Sequence, residues 1–305
     1  MLGRIAGAVR FKEPLSFHTS LRIGGPVEFL VVPQDIDDAR HALLFAEQES
    51  LPVIVIGNGN NLLVSDRGLQ AVALKLQGIL SRVQFDGEEA VAGAGVPLSE
   101  LIREAAVQGL GGLEEFAGIP ASIGGALAMH VKGGDTLFES LCTAVYFLHR
   151  DGTLGEIRPS GGHLFRNLQP ASTVLVGCRL RLMRRAQADI RRDIQQRLKM
   201  KRTTQPFALA SAGYIWKRTD TEPAERLIER AGLRGRRVNG AEISSKCGNF
   251  IVNRGGATAN DVLALMDMMA ETVERRFGVT LHPEIRMLGF DGTRAATEPR
   301  LLAAS

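Results

Sequence analysis

The chain has 305 residues, 45% hydrophobic and 23% charged, enough for two or three domains with real cores. A net charge of +4 is too small to argue for nucleic acid but suits an anionic small molecule, and aromatics at 5% are too few for base-stacking platforms. Cys142, Cys178 and Cys247 are widely spaced and form no C-x-x-C pair, so neither a metal site nor a disulfide framework is expected. No window approaches 18 consecutive apolar residues and the N-terminus carries no cleavage signal, so membrane insertion is not expected and a reducing, cytoplasmic setting is the default.

In chain order, "VEFLVVP" (Val27 to Pro33) reads as a buried strand. "DIDDARHALLFAEQES" follows as a helix with Asp at its start. "LPVIVIG" is a second strand, "NGNNLLVSDRG" a loop and "AVALKL" a third strand, so residues 1–78 look like a small βαβ-type unit. "VQFDGEEAVAGAGV" reads as a strand pair feeding a glycine turn, and "PLSELIREAAVQGL" as a helix from Pro97 to Gly109. "TAVYFLHRDGTLGEIRP" is a hairpin about Asp151-Gly152, and "STVLVGCRLRLMRR" one long strand.

Residues 187–202 form a basic helix whose charge run reads as a solvated face. A helix around Glu225 to Ala231, a strand in "GNFIVNRG", an amphipathic helix from Ala259 to Phe277 and a strand in "HPEIRMLGF" complete the order. Residues 291–305 read as a loose tail. The mixture predicts an α+β protein of two or three subdomains rather than one doubly wound sheet.

Three glycine-rich loops carry the functional signal. "IGNGNNLLVSD" puts Gly57, Asn58, Gly59, Asn60 and Asn61 straight after a strand, where glycines let backbone N–H groups approach a phosphate. A dinucleotide fingerprint would need a third glycine at position 62 and a helix there; Leu62 argues against it, and on spacing alone the loop is better read as a plain glycine-rich turn than as a phosphate cradle. "VAGAGVPLSEL", with Gly93 and Gly95, and "AGIPASIGGALAMH", with Gly118, Ile119, Pro120, Ser122, Gly124 and Gly125, repeat the pattern. Three such loops in about 75 residues, each against a strand or helix end, are better explained by backbone wrapped around a large phosphate-bearing cofactor.

The segments "TSLRIGGP", "GNGNNLLVSD", "GAGVPLSELI", "GLEEFAGIPASIGGALAM", "SAGYIWK", "AERLIERAGLRG", "NGAEISSKCGNFIVN" and "LHPEIRMLG" resemble, in sequence and order, the UDP-N-acetylenolpyruvoylglucosamine reductase family. The resemblance runs from about Phe17 to Gly289 and is closer to the shorter, type II form. It implies two subdomains (1–78 and 79–201) holding FAD in a vanillyl-alcohol-oxidase-type fold, with a third (202–290) covering the substrate. It also implies a reaction in which NADPH reduces FAD and hydride passes to the enolpyruvyl carbon of a UDP-sugar, yielding UDP-N-acetylmuramate for peptidoglycan synthesis.

Such chemistry needs donors where an enolate develops, an acid for the adjacent carbon and a fixed flavin. The resemblance assigns the carboxylate clamp to Arg166 in "HLFRNLQP", although Phe165 and Leu168 depart from the family's tyrosine and serine. It assigns Glu284 in "LHPEIR" to the enolate, with the expectation of a buried carboxyl of raised pKa. Structural pairing with Arg254 or Arg286 is the plainer reading of Glu284.

The family's proton-donating serine is Tyr214 here, in "ASAGYIWKR". A phenol is the stronger acid, but its ring reaches further, so Tyr214 either donates the proton or occludes the pocket. Arg202, Lys217 and Lys246 are candidate contacts for the substrate's diphosphate or carboxylate, with solvated side chains as the plainer reading. Trp216 and Cys247 read as packing, and His130 stands for an asparagine of the family. These departures leave a second reading open, a divergent flavoprotein with another substrate or no reductase activity.

Overall fold

A computed structural model describes residues 2–76, 78–158 and 173–290. The first sheet begins with β1 (Ala8–Pro14), antiparallel to β2 (Pro26–Val32). Helix α1 (Ile36–Gln48) crosses to β3 (Val53–Val55), β4 (Leu62–Val64) lies outside this sheet, and β5 (Leu69–Leu74) slots between β2 and β3, parallel to both. The βαβ unit is as expected, with β1 added on its edge. Asp35 caps α1 by accepting from Asp38 N at 2.9 Å, and Ala39, Ala42, Leu43 and Ala46 bury one helical face.

The second sheet is antiparallel, in the order β12-β11-β13-β7-β6. It uses β6 (Val83–Asp86), β7 (Glu89–Gly93), β11 (Cys142–His149), β12 (Leu154–Ile157) and β13 (Thr173–Arg181). Helix α2 (Leu98–Val107) packs Leu98, Leu101, Ile102 and Ala105 into its core. Short pairs join β8 (Leu110–Gly111) to β14 (Met183–Arg184) and β9 (Lys132–Gly133) to β10 (Thr136–Leu137). The one long strand expected around Arg181 breaks at Leu182, whose N–H turns to Glu88 O, so β14 serves a different partner. Helix α3 (Ile123–Ala128) starts at Ser122, and α4 (Gln187–Thr204) buries only Ile190 fully.

The third sheet orders β15 (Ala210–Ser211), β18 (Ile251–Asn253), β17 (Ala241–Ile243) and β16 (Arg237–Val238) side by side, with α5 (Ala224–Arg230) and α6 (Ala259–Phe277) packed against it. Helix α6 matches its expected span. Thr258 and Asp261 close a capping box, Gly278 ends it at φ +67°, and Val262, Leu265, Met266, Met269 and Val273 form the apolar stripe. Each such side chain contributes about 1.5–3 kcal/mol of transfer free energy.

The segment after "GNGNN" is not all loop. Leu62–Val64 pairs in parallel with β19 (Arg286–Leu288), the last strand described. This last described strand thus returns to the first glycine loop, and Asp66 just beyond β4 accepts from Ala259 N, tying that loop to the start of α6. Residues 291–305 and Arg166 lie outside the described residues.

Candidate cofactor and active site

The glycine loops meet because backbone sits where side chains would otherwise be. A Cβ on Gly57 would lie 2.3 Å from Ser122 Oγ, one on Gly59 2.1 Å from His18 O, and one on Gly93 2.1 Å from Leu80 O. Gly59 also holds φ +65°, a region open mainly to glycine. Between the loops, Gly124 N donates to Ala94 O at 2.8 Å and Ile123 N to Val96 O at 2.9 Å. Asn60 Nδ2 donates to Pro120 O, and Ser122 accepts from Gly125 N at the start of α3.

A cavity of about 350 Å³ opens where the loops converge. It is lined by Gly57, Asn58, Lys75, Leu76, Ser81, Gly95, Pro97 and Glu100. Gly57 follows β3 and Lys75 follows β5, so the cavity lies beyond the carboxyl ends of two adjacent parallel strands. The N–H groups of Gly57, Asn58 and Gly59 donate to no other described residue. Unengaged amides on glycine loops, one lysine and room for a phosphate group fit the diphosphate of a dinucleotide cofactor. Gly118 and Ile119 turn elsewhere: a Cβ on Gly118 would touch Lys201 and Leu198 of α4, and Ile119 packs on the second core. Lys201 is pushed down to about 8 by burial and by the Arg197 guanidinium.

The third sheet delivers the substrate-side candidates to the same loop. Ser20 Oγ donates to Gly59 O at 3.1 Å and to Ser211 O at 2.7 Å, joining the glycine loop to β15. A Cβ on Gly213, at φ +77°, would sit 3.5 Å from Asn60 O. Asn61 Nδ2 donates to Glu284 O at 3.0 Å, and Glu284 N to Ile215 O at 2.8 Å. Glu284 is half-buried rather than enclosed, and Arg254 pairs with Glu242 instead.

Tyr214 leaves two-fifths of its surface exposed, and its ring stands edge-on to Phe250 at 4.9 Å. Burial, with a smaller push from the Cys247 thiol, raises its pKa, which a hydrogen bond from Gln205 Nε2 to Oη at 3.3 Å opposes. Lys246 Nζ reaches Arg202 O, which brings two of the three basic candidates together; Lys217 is exposed, with its N–H on His282 O. Trp216 and Cys247 are buried, as packing residues would be. His130 bonds Glu139 at 2.7 Å.

Two loop-linking groups escaped the sequence reading: Ser20, and Lys75 with its partner His18. Lys75 had a legible signal, being the single charge in the otherwise apolar "AVALKL". Ser20 had none.

The loops, the cavity and the third sheet define an FAD-binding flavoprotein with an added C-terminal domain. Residues 27–158 match the family described as "FAD binding domain", and residues 205–288 the one described as "UDP-N-acetylenolpyruvoylglucosamine reductase, C-terminal domain". The chain belongs to the UDP-N-acetylenolpyruvoylglucosamine reductase family. It is 40% identical over 291 residues to UDP-N-acetylenolpyruvoylglucosamine reductase 2 of Symbiobacterium thermophilum, covering 94% of each chain. It is 37% identical to the reductase of Geobacter metallireducens, over 93% of this chain and 95% of that one. The crystal structure of the Thermus caldophilus enzyme superposes with a TM-score of 0.79 at 31% identity, over 93% of this chain and all of that one. These likenesses favour the reductase reading over a divergent flavoprotein with another substrate.

Proposed function

We propose that this protein is a cytoplasmic FAD-dependent reductase that uses NADPH to convert UDP-N-acetylglucosamine enolpyruvate to UDP-N-acetylmuramate for peptidoglycan synthesis. The observation that carries the reading is convergence on one loop. Asn60 lies against Gly213, which precedes Tyr214, and Asn61 holds the backbone of Glu284. Residues of the first two subdomains (1–78 and 79–201) hold the cofactor, and 202–290 cover the substrate.

The loops at Gly57–Asn61 and Gly93–Gly95, with Ser122–Gly125, would hold FAD, which would supply hydride chemistry between NADPH and the substrate's terminal vinyl carbon. The chain must then manage the negative charge that develops beside the substrate carboxylate. Tyr214 Oη gives its proton to the adjacent carbon. A phenol is protonated at neutral pH and so can act as an acid. Because Gln205 Nε2 donates to the phenol oxygen, the phenol's own hydrogen stays available. Glu284 is assigned to the developing enolate and Arg166 to the substrate carboxylate. Arg202 and Lys246, joined near the end of α4, offer charge to the substrate's diphosphate, with Lys217 in the irregular segment after β15.

Anaerobic stopped-flow tests this. Purified protein should show bound flavin, lose its colour with NADPH and regain it on addition of the enolpyruvyl UDP-sugar. Reduction without reoxidation by that sugar would refute the assignment.

A further inference from the structure

Among the described residues, the cavity between the first two glycine loops is lined by one cationic side chain, Lys75, which is held in place by a chain of hydrogen bonds. Lys75 Nζ lies 3.1 Å from His18 Nδ1, and His18 Nε2 lies 2.9 Å from Glu13 Oε1. An ammonium can only donate, so Nδ1 accepts and Nε2–H donates to Glu13; the chain of bonds fixes one tautomer and one ring orientation. His18 and Glu13 are largely buried, with 9% and 17% of their side-chain surface exposed. The same His18 contributes the carbonyl that packs against Gly59. One residue therefore touches both the glycine loop and the lysine.

Lys75 is half-buried and forms no ion pair with a carboxylate among the described residues. Burial, and the nearby Arg10 guanidinium, lower its pKa, while Glu13 opposes them. A charge held in place yet left without a counter-ion, beside unengaged amides of Gly57 and Asn58, is a site waiting for an anion. Glu100 faces the same cavity from the first turn of α2. A carboxylate there repels phosphate and accepts from hydroxyl groups, which orients a ribose-diphosphate with its anionic part toward Lys75.

We infer that Lys75 is the cation that meets the cofactor's diphosphate, and that Glu13 and His18 are its positioning residues. The inference rests on the FAD-dependent reading above. Flavin-stripped protein is titrated with FAD and, separately, with riboflavin, following quenching of flavin fluorescence. Lys75→Gln should weaken FAD binding about 10- to 100-fold and riboflavin binding less than about 3-fold, since only FAD carries the diphosphate. Lys75→Arg should keep most of the FAD preference.

His18→Asn, which preserves an acceptor near Nδ1, should hold the ratio of FAD to riboflavin affinity, while His18→Leu should narrow it about 3- to 10-fold. A purely structural role would lower both affinities together. Equal losses for both flavins in Lys75→Gln, or no loss for FAD, overturn the assignment of Lys75 while leaving the flavoprotein reading intact. Identical ratios in His18→Leu and His18→Asn overturn the positioning role. Wild-type protein that binds neither flavin overturns both this inference and the reading beneath it.

Discussion

Gly59→Ala tests whether close backbone contact builds the cofactor loop. The new Cβ would begin 2.1 Å from His18 O and 2.8 Å from Thr19 Cα. Reaching ordinary contact requires a retreat of about 1.3 Å, from 2.1 to 3.4 Å, by main chain on one side or the other. The loop is pinned by Ser20 N and Oγ on Gly59 O, and His18 is held by its N–H on Leu15 O, so neither side yields without breaking hydrogen bonds. The left-handed φ adds about 1–2 kcal/mol for any residue with a Cβ. Overpacking adds about 1–3 kcal/mol.

Gly87 is the matched control. It holds φ +59° in the β6–β7 turn with nothing within 4 Å of its would-be Cβ, so Gly87→Ala carries the backbone term alone. Urea unfolding of flavin-free protein should place Gly59→Ala about 2–5 kcal/mol below wild type and Gly87→Ala about 1–2 kcal/mol below. Only Gly59→Ala should also lose flavin affinity, by about tenfold or more, because His18 and the loop move together. Equal destabilisation of the two variants, with normal flavin binding in Gly59→Ala, would refute the packing argument.

Three further outcomes follow from the same geometry. Tyr214→Phe should leave NADPH reduction of the flavin intact and slow product formation about 10²-fold in single-turnover assays; unchanged turnover would remove the phenol from the mechanism. Glu242→Gln should cost about 3 kcal/mol in urea unfolding, because the buried carboxylate accepts from Arg254 at 2.9 Å and Arg237 at 2.5 Å. Those guanidiniums, Arg254 first, lower the Glu242 pKa, so its contribution is present above the usual glutamate range and is lost as pH falls through the depressed value; the gap between variant and wild type should close in acid. Lys201, at about 8, binds fewer protons folded than unfolded between roughly pH 8 and 10.5, so wild-type stability should rise across that window. Lys201→Met should flatten the rise and be the more stable protein at pH 7; a lower urea midpoint at pH 7 would contradict it.

Much of the architecture was legible because local and tertiary preferences agree. Helix α6 carries Thr258, Asp261, an apolar stripe and Gly278, each naming the same boundaries. The β11–β12 hairpin is written in Asp151-Gly152 between two apolar runs. β4 was not legible, since three residues after a glycine loop form a strand only because a partner arrives from the far end of the chain. The break at Leu182 was equally hidden, as Met183 and Arg184 turn to pair with Leu110 and Gly111.

At the site, glycine spacing pointed to the cradle, and resemblance alone singled out Tyr214 and Glu284. Burial of Glu284 was overestimated: the motif fixes where its backbone goes, on Asn61 Nδ2 and Ile215 O, and says nothing of how open the side chain stays.

The β4–β19 pairing also sets when the cofactor loop can be finished. Leu62 and Arg286 are 224 positions apart (286 minus 62), so on the ribosome the strand following the glycine loop waits for almost the whole chain before its partner exists. At about 5–20 residues per second, that is a delay of roughly 10–45 s during which β4 offers an unpaired edge. The segment after the glycine loop is therefore completed late in synthesis, and the first two cores must hold their shape until then.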